Sequence, residues 1–97
     1  MIAVQFLIPT RADLPALRRD LEDTFGGWSL IGTNYGAWRD PATGVVGFDA
    51  TLRYEVGLDP DKLVYLDEYL QRLARSIGES AIWRVVIGSA TALEAST

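Results

Sequence analysis

Apolar side chains alternate from the first positions of the chain: Ile2, Val4, Phe6 and Ile8 share one parity, Ala3, Gln5 and Leu7 the other. A period of two predicts a strand whose more apolar face meets a core, closed here by Pro9. The spacing then becomes helical. Leu14, Leu17, Leu21 and Phe25 follow Asp13, a suitable N-cap, and Pro15, whose missing N–H costs little in a first turn. Gly26 supplies a left-handed stop. Residues 28–39 read as a second strand whose apolar phase changes: Trp28 and Leu30 have one parity, Tyr35 and Ala37 the other, so a bulge is expected near Gly32 or Gly36.

Asp40-Pro41-Ala42-Thr43-Gly44 has the residues of a tight turn and leads into a third strand at 45–56. Its faces are distinct: Val46, Phe48, Ala50, Leu52, Tyr54 and Val56 on one, Gly47, Asp49, Thr51, Arg53 and Glu55 on the other. Asp59 and Pro60 open a second helix whose stripe is Leu63, Leu66, Leu70, Leu73 and Ile77, ending at Gly78. Residues 81–87 form a fourth strand, and 88–97 a polar tail without periodicity. The order defines an α+β, ferredoxin-like βαββαβ domain over residues 1–87: a four-stranded antiparallel sheet with two helices on one face. Strands one and three are then central, and strands two and four are edges.

The 97 residues are enough for one core but not for a second domain, and a chain this small gains from dimerisation. A net charge of −4 argues against nucleic acid as a partner, which requires a basic surface. Arg11, Arg18 and Arg19 lie among acidic residues and read as a mixed, solvated helix face. Absence of Cys and His removes thiol nucleophiles, disulfides, the commonest metal ligands and the usual near-neutral acid–base group. No cofactor, metal site or catalytic residue is assigned. The apolar start is far shorter than a membrane span and has no basic leader, so a soluble, cytoplasmic protein without membrane partners is expected.

If Asp40 pairs with Val45 across the turn, Trp38 falls opposite Gly47, Gly36 opposite Asp49 and Asn34 opposite Thr51. An indole covering a strand glycine is a structural role in itself, and the polar face of a central strand needs no ligand to explain it. The functional reading is a shallow site in which Trp38 stacks on a ligand above the small floor at Gly36. Tyr35, Asn34, Asp49, Arg53 and Arg84 would supply its other contacts. Asp49 and Glu55 are too far apart on a straight strand, roughly 20 Å, for paired-carboxylate chemistry. Asp67 and Glu68 fall on the exposed side of the second helix, while Tyr65 and Tyr69, four apart, border its core stripe.

In the fourth strand Trp83, Val85 and Ile87 fill one face, and Ile82 and Val86 flank Arg84 on the other, extended by Leu7 and Ala3. An edge strand apolar on both faces needs cover, either from the tail or from a second copy through Ile82, Trp83 and Val86.

Phe25-Gly26-Gly27-Trp28-Ser29, Gly36-Ala37-Trp38-Arg39-Asp40, Thr43-Gly44 and Asp49 resemble a family of small uncharacterised bacterial proteins with a Phe-Gly-Gly-aromatic-Thr signature followed by Gly-x-Trp. Ser29 stands where that signature commonly has Thr, which keeps the hydroxyl. The resemblance implies the ferredoxin-like architecture and no activity. More broadly the chain is similar to ferredoxin-like dimers, including dimeric α+β barrel proteins, some of them cofactor-free enzymes that often use His.

Three functions remain open on the sequence. The first is a homodimeric interaction or small-ligand-binding module. The second is a small cofactor-free enzyme of the α+β barrel type, with Tyr35, Tyr54 or Tyr65 in a cavity between sheet and helices. The third is an acidic inhibitor from a mobile element that blocks a basic protein partner.

Overall fold

A computed structural model describes residues 1–93 and residue 95. The elements are β1 (Ile2–Pro9), α1 (Leu14–Phe25), β2 (Ser29–Arg39), β3 (Val46–Leu58), α2 (Leu63–Ser76) and β4 (Arg84–Ser89). Every neighbouring pair in the sheet is antiparallel and the strand order is β2-β3-β1-β4, so β1 and β3 are central as the pattern predicts. The chain is therefore a mixed α+β protein with an open four-stranded sheet and two helices, in the β-α-β-β-α-β order of ferredoxin-like folds.

The turn residues carry out the roles their chemistry suggests. Asp40 Oδ1 accepts from the N–H of Ala42 at 2.8 Å, Gly44 N–H donates to Asp40 O at 2.8 Å, and Asp40 N–H donates to Val45 O at 2.9 Å. Gly44 takes a φ of +73°, where a side chain would be strained. This closure fixes Trp38 opposite Gly47, Gly36 opposite Asp49 and Asn34 opposite Thr51. The expected bulge is at Ile31, between the Leu30–Tyr54 and Gly32–Arg53 pairs, and it reconciles the two apolar phases of β2.

Alternation places Val4, Phe6 and Ile8 of β1 with Tyr54, Val56 and Leu58 of β3 on one side of the sheet, called here the core face. These residues join Leu17 and Leu21 of α1 and Leu66 and Leu70 of α2 in one buried cluster. Asp13 caps α1 through Ala16 N–H at 3.3 Å, and Gly26 ends it at φ +89°. The start of α2 differs from expectation. Residues Pro60–Lys62 form a 3-10 turn, Asp59 makes no side-chain cap, and the α-helix proper begins at Leu63. A proline-led turn tightened to i→i+3 bonds takes up the entry from β3.

Strand β4 begins three residues later than periodicity suggests and runs through Ser89, so residues 88 and 89 are strand rather than tail. Ala90 N–H extends the pairing to Met1 O at 3.0 Å. Of the remaining tail, Glu94, Ser96 and Thr97 lie outside the described residues.

Tyr54 is fully buried, and its hydroxyl still has to find a partner. Arg18 of α1 provides it: Nε donates to Tyr54 Oη at 2.9 Å, and the guanidinium lies 4.5 Å from the centre of the Trp28 ring. Trp28 meets Tyr54 edge-on at 5.7 Å, and Phe6 stacks on Tyr54 at 6.0 Å. Arg18 is thus part of the packing and not a member of a solvated basic face, because its guanidinium bonds the buried phenol and lies over Trp28. A second polar link joins the helices, with Tyr69 Oη donating to Asp20 Oδ2 at 2.9 Å. Partial burial, and after it this bond, pushes the Tyr69 phenol well above its ordinary range.

Replacing Arg18 by Met should cost about 1–3 kcal/mol in urea unfolding, because the Tyr54 hydroxyl is left unpaired. Adding Tyr54→Phe should recover part of that loss. Raised in the folded state, the Tyr69 pKa gives stability that is complete below the free-phenol value of about 10 and is lost as pH rises above it. Melting temperatures from pH 8 to 11 should therefore fall more steeply for the wild type than for Tyr69→Phe above about pH 10.

Candidate functional site

The outer face of the sheet, opposite the core face, carries Asn34, Gly36 and Trp38 of β2, Asp49, Thr51, Arg53 and Glu55 of β3, and Gln5 and Leu7 of β1. A polar row crosses three strands there. Arg53 Nη2 donates to Asn34 Oδ1 at 2.8 Å and Nη1 to Gln5 Oε1 at 2.9 Å, while Gln5 Nε2 donates to Glu55 Oε1 at 3.0 Å. Thr51 Oγ1 donates to the backbone oxygen of Asn34 at 3.4 Å. Arg53 is thereby held flat between two amide oxygens, its charge met by dipoles.

Trp38 lies over Gly47. A Cβ at Gly47 would stand 2.8 Å from ring atoms Cε2 and Cζ2 of the indole, so only glycine admits this position of the ring. Beside it is a groove of about 390 Å³ lined by Asn34, Gly36, Trp38, Asp49 and Thr51 from the hairpin, Leu7 from β1, and Trp83 across from them. Trp83 precedes β4, and its carbonyl accepts from Leu7 N–H at 3.0 Å, which extends the sheet by one residue. The indoles of Trp38 and Trp83 are 53% and 79% exposed, so both border the groove without being covered by it.

Of the residues that periodicity marked for a ligand, Trp38, Asn34 and Asp49 line this one groove, and Arg53 adjoins it through Asn34. Tyr35 does not belong with them. It pairs with Ala50, on the core face, and is 81% exposed. Arg84 is also elsewhere: it pairs with Phe6 and forks onto Asp67 of α2, with Nε to Oδ1 at 2.8 Å and Nη2 to Oδ2 at 2.5 Å.

That ion pair assigns the two faces of β4. Arg84 and Val86, opposite Phe6 and Val4, take the core-face parity, and Val85, opposite Gln5, takes the outer one. Leu7 and Ala3 therefore extend the face of Val85 and not that of Arg84, the reverse of the sequence expectation. Of the residues proposed as a dimer contact, Ile82 is half-buried against the core, whereas Trp83 and Val86 are exposed. Among the described residues nothing covers Val85 or Ile87, at 47% and 55% exposure.

Sequence reasoning missed Gln5 and placed Trp83 only as a dimer contact. Gln5, the one strongly polar residue inside the otherwise apolar β1, was the signal available. A second groove, about 690 Å³, runs between α2 and residues 79–84. Asp67 on its wall is paired with Arg84 and Glu79 with Arg11, and Arg75 lines it as well. Between the sheet and the helices Tyr54 is enclosed, with its hydroxyl bonded to Arg18, while Tyr35 and Tyr65 are exposed at 81% and 58%. No three acidic side chains converge among the described residues, and no described helix is long and apolar enough to cross a membrane.

No protein-family model, curated protein or solved structure matches the chain.

A methyl group at position 47 forces the Trp38 ring aside. In 5-fluorotryptophan-labelled protein, Gly47→Ala should shift the ¹⁹F resonance of Trp38 while leaving Trp28 and Trp83 in place. An unmoved Trp38 signal would mean that the ring does not rest on Gly47.

Proposed function

We propose that this protein is a non-catalytic, homodimeric binding module with a ferredoxin-like body, both helices covering the core face and the outer face left to the ligand. The observation that carries this reading is the pair of exposed indoles, Trp38 and Trp83, lining one groove with Asn34, Asp49 and Thr51. Indole faces hold flat rings by stacking and apolar contact, and amide, hydroxyl and carboxylate groups between them read the ring's polar edge. The ligand class that fits is a small, flat molecule with hydrogen-bonding groups at its rim.

The core argues against catalysis in the space between sheet and helices, because Phe6, Tyr54 and the helix leucines fill it. The groove offers no nucleophile paired with a base: of its two carboxylates, Glu79 is paired with Arg11, and Asp49 stands beside Gly36 and Thr51, whose hydroxyl donates to the Asn34 carbonyl. The homodimer rests on the uncovered apolar surface of the sheet. A cytoplasmic setting agrees with the absence of cysteine.

Titrating the fluorotryptophan-labelled protein with cellobiose and with adenosine as probes should move the Trp38 and Trp83 resonances together and saturably for at least one of them. Asn34→Ala should weaken that binding about tenfold, the value of one polar contact. Movement of Trp83 alone, or of neither ring, would contradict the reading.

A further inference from the structure

Strand β3 has 13 residues and β1 only eight, and their pairing ends at Pro9 opposite Thr51. Beyond that point β2 and β3 continue alone, from the Tyr35–Ala50 pair to Arg39–Val46, as a two-stranded arm. On the core-face side the apolar alternation persists where no helix covers it. Tyr54 is buried and Leu52 half-buried, but Phe48 is 82% exposed and Tyr35 81%. An isolated two-stranded hairpin is marginal in water, and one displaying two large aromatic rings needs cover.

The arrangement of bulk on this surface points to its occupant. Tyr35 stands opposite Ala50 and Phe48 opposite Ala37, so large and small residues occupy opposite diagonals of a four-residue square. A two-fold axis lying in the plane of contact and crossing the arm between these pairs sets Tyr35 of one copy over Ala37 of the other. The same axis sets Phe48 over Ala50. Each ring meets a hollow made by the same sequence, which is the condition an isologous interface must satisfy. Next along the arm, Val46 then faces Leu52 and Arg39 faces Thr33, so no like charges meet. The two arms run antiparallel and the helical bodies lie at opposite ends; an axis along the arm would instead drive the helices of both copies together.

We infer that the arm is the homodimer interface, each copy's Tyr35 and Phe48 packing into the alanine hollows of a second copy. The inference rests on the homodimeric reading above and names its surface, in place of the β4 edge. The two rings and their neighbours offer roughly 500 Å² per copy, about 1,000 Å² in all, at the lower bound for a specific interface. A dimer of micromolar strength is the expectation for that area.

Sedimentation equilibrium of the full chain tests this. The wild type should associate, and Phe48→Asp should raise the dimer dissociation constant about 30-fold or more. Ala50→Phe, which adds apolar surface but sets a ring against Phe48 of the other copy, should also weaken association, and Phe48→Ala with Ala50→Phe should recover much of it by inverting the pattern. Val85→Lys on the β4 edge should leave the constant within twofold. Tighter association of Ala50→Phe would overturn the proposed packing. Loss of the dimer in Val85→Lys with none in Phe48→Asp would move the interface to β4 and leave the homodimeric reading standing. A wild type that stays monomeric at millimolar concentration would remove both.

Discussion

The structure depends on a mismatch of length within one sheet. The Asp40–Gly44 turn fixes the register of β2 against β3, and that pairing continues well past the end of β1. Because side chains on a strand alternate strictly, one register decides both surfaces of the extension. The core parity emerges as Tyr35 and Phe48 beyond the reach of the helices, and the other parity as Trp38, Gly36 and Asn34 beside the polar residues of β3. The radius of gyration, 15.1 Å against about 13 Å for a compact chain of this size, agrees with such an extended form.

The body anchors the arm through a few specific contacts. Arg18 satisfies Tyr54 and lies over Trp28, which itself donates to Glu22 at 3.3 Å, so α1 and Trp28, just before β2, are held against Tyr54 of β3. On the far side the Arg84–Asp67 pair holds β4 to α2, and the Arg11–Glu79 pair joins the loop after β1 to the one before β4. These exposed pairs add modestly to stability, and their larger effect is geometric. Trp83 is held beside Leu7, on the wall of the outer groove, by the bond from Leu7 N–H to its carbonyl.

Much of the fold is legible because its signals are local. Asp13, Gly26, Asp40 and Gly44 act where their chemistry predicts, and the phase change in β2 does mark a bulge. The faces of β4 were not legible: Ile82 to Ile87 is apolar on both sides, and what decides it is Asp67 on another element. Arg18 was misread for the same reason, since its partner Tyr54 lies 36 positions away. At the site, register placed Asn34, Gly36 and Trp38 correctly, because it needed only the turn. Tyr35 was grouped with them although its parity separates it, a distinction the sequence did contain. The overhang was also present, in a third strand longer than the first.

On the proposed reading the two surfaces of the arm would have separate duties, association on the core parity and recognition on the other. The most direct measurement of the central claim is hydrogen exchange at the arm's paired amides, residues 35–39 and 46–50, followed across a dilution series. If the uncovered apolar surface is closed by a second copy, protection there should rise with protein concentration while that of β1 stays constant. Arm amides exchanging at one rate at every concentration would contradict it.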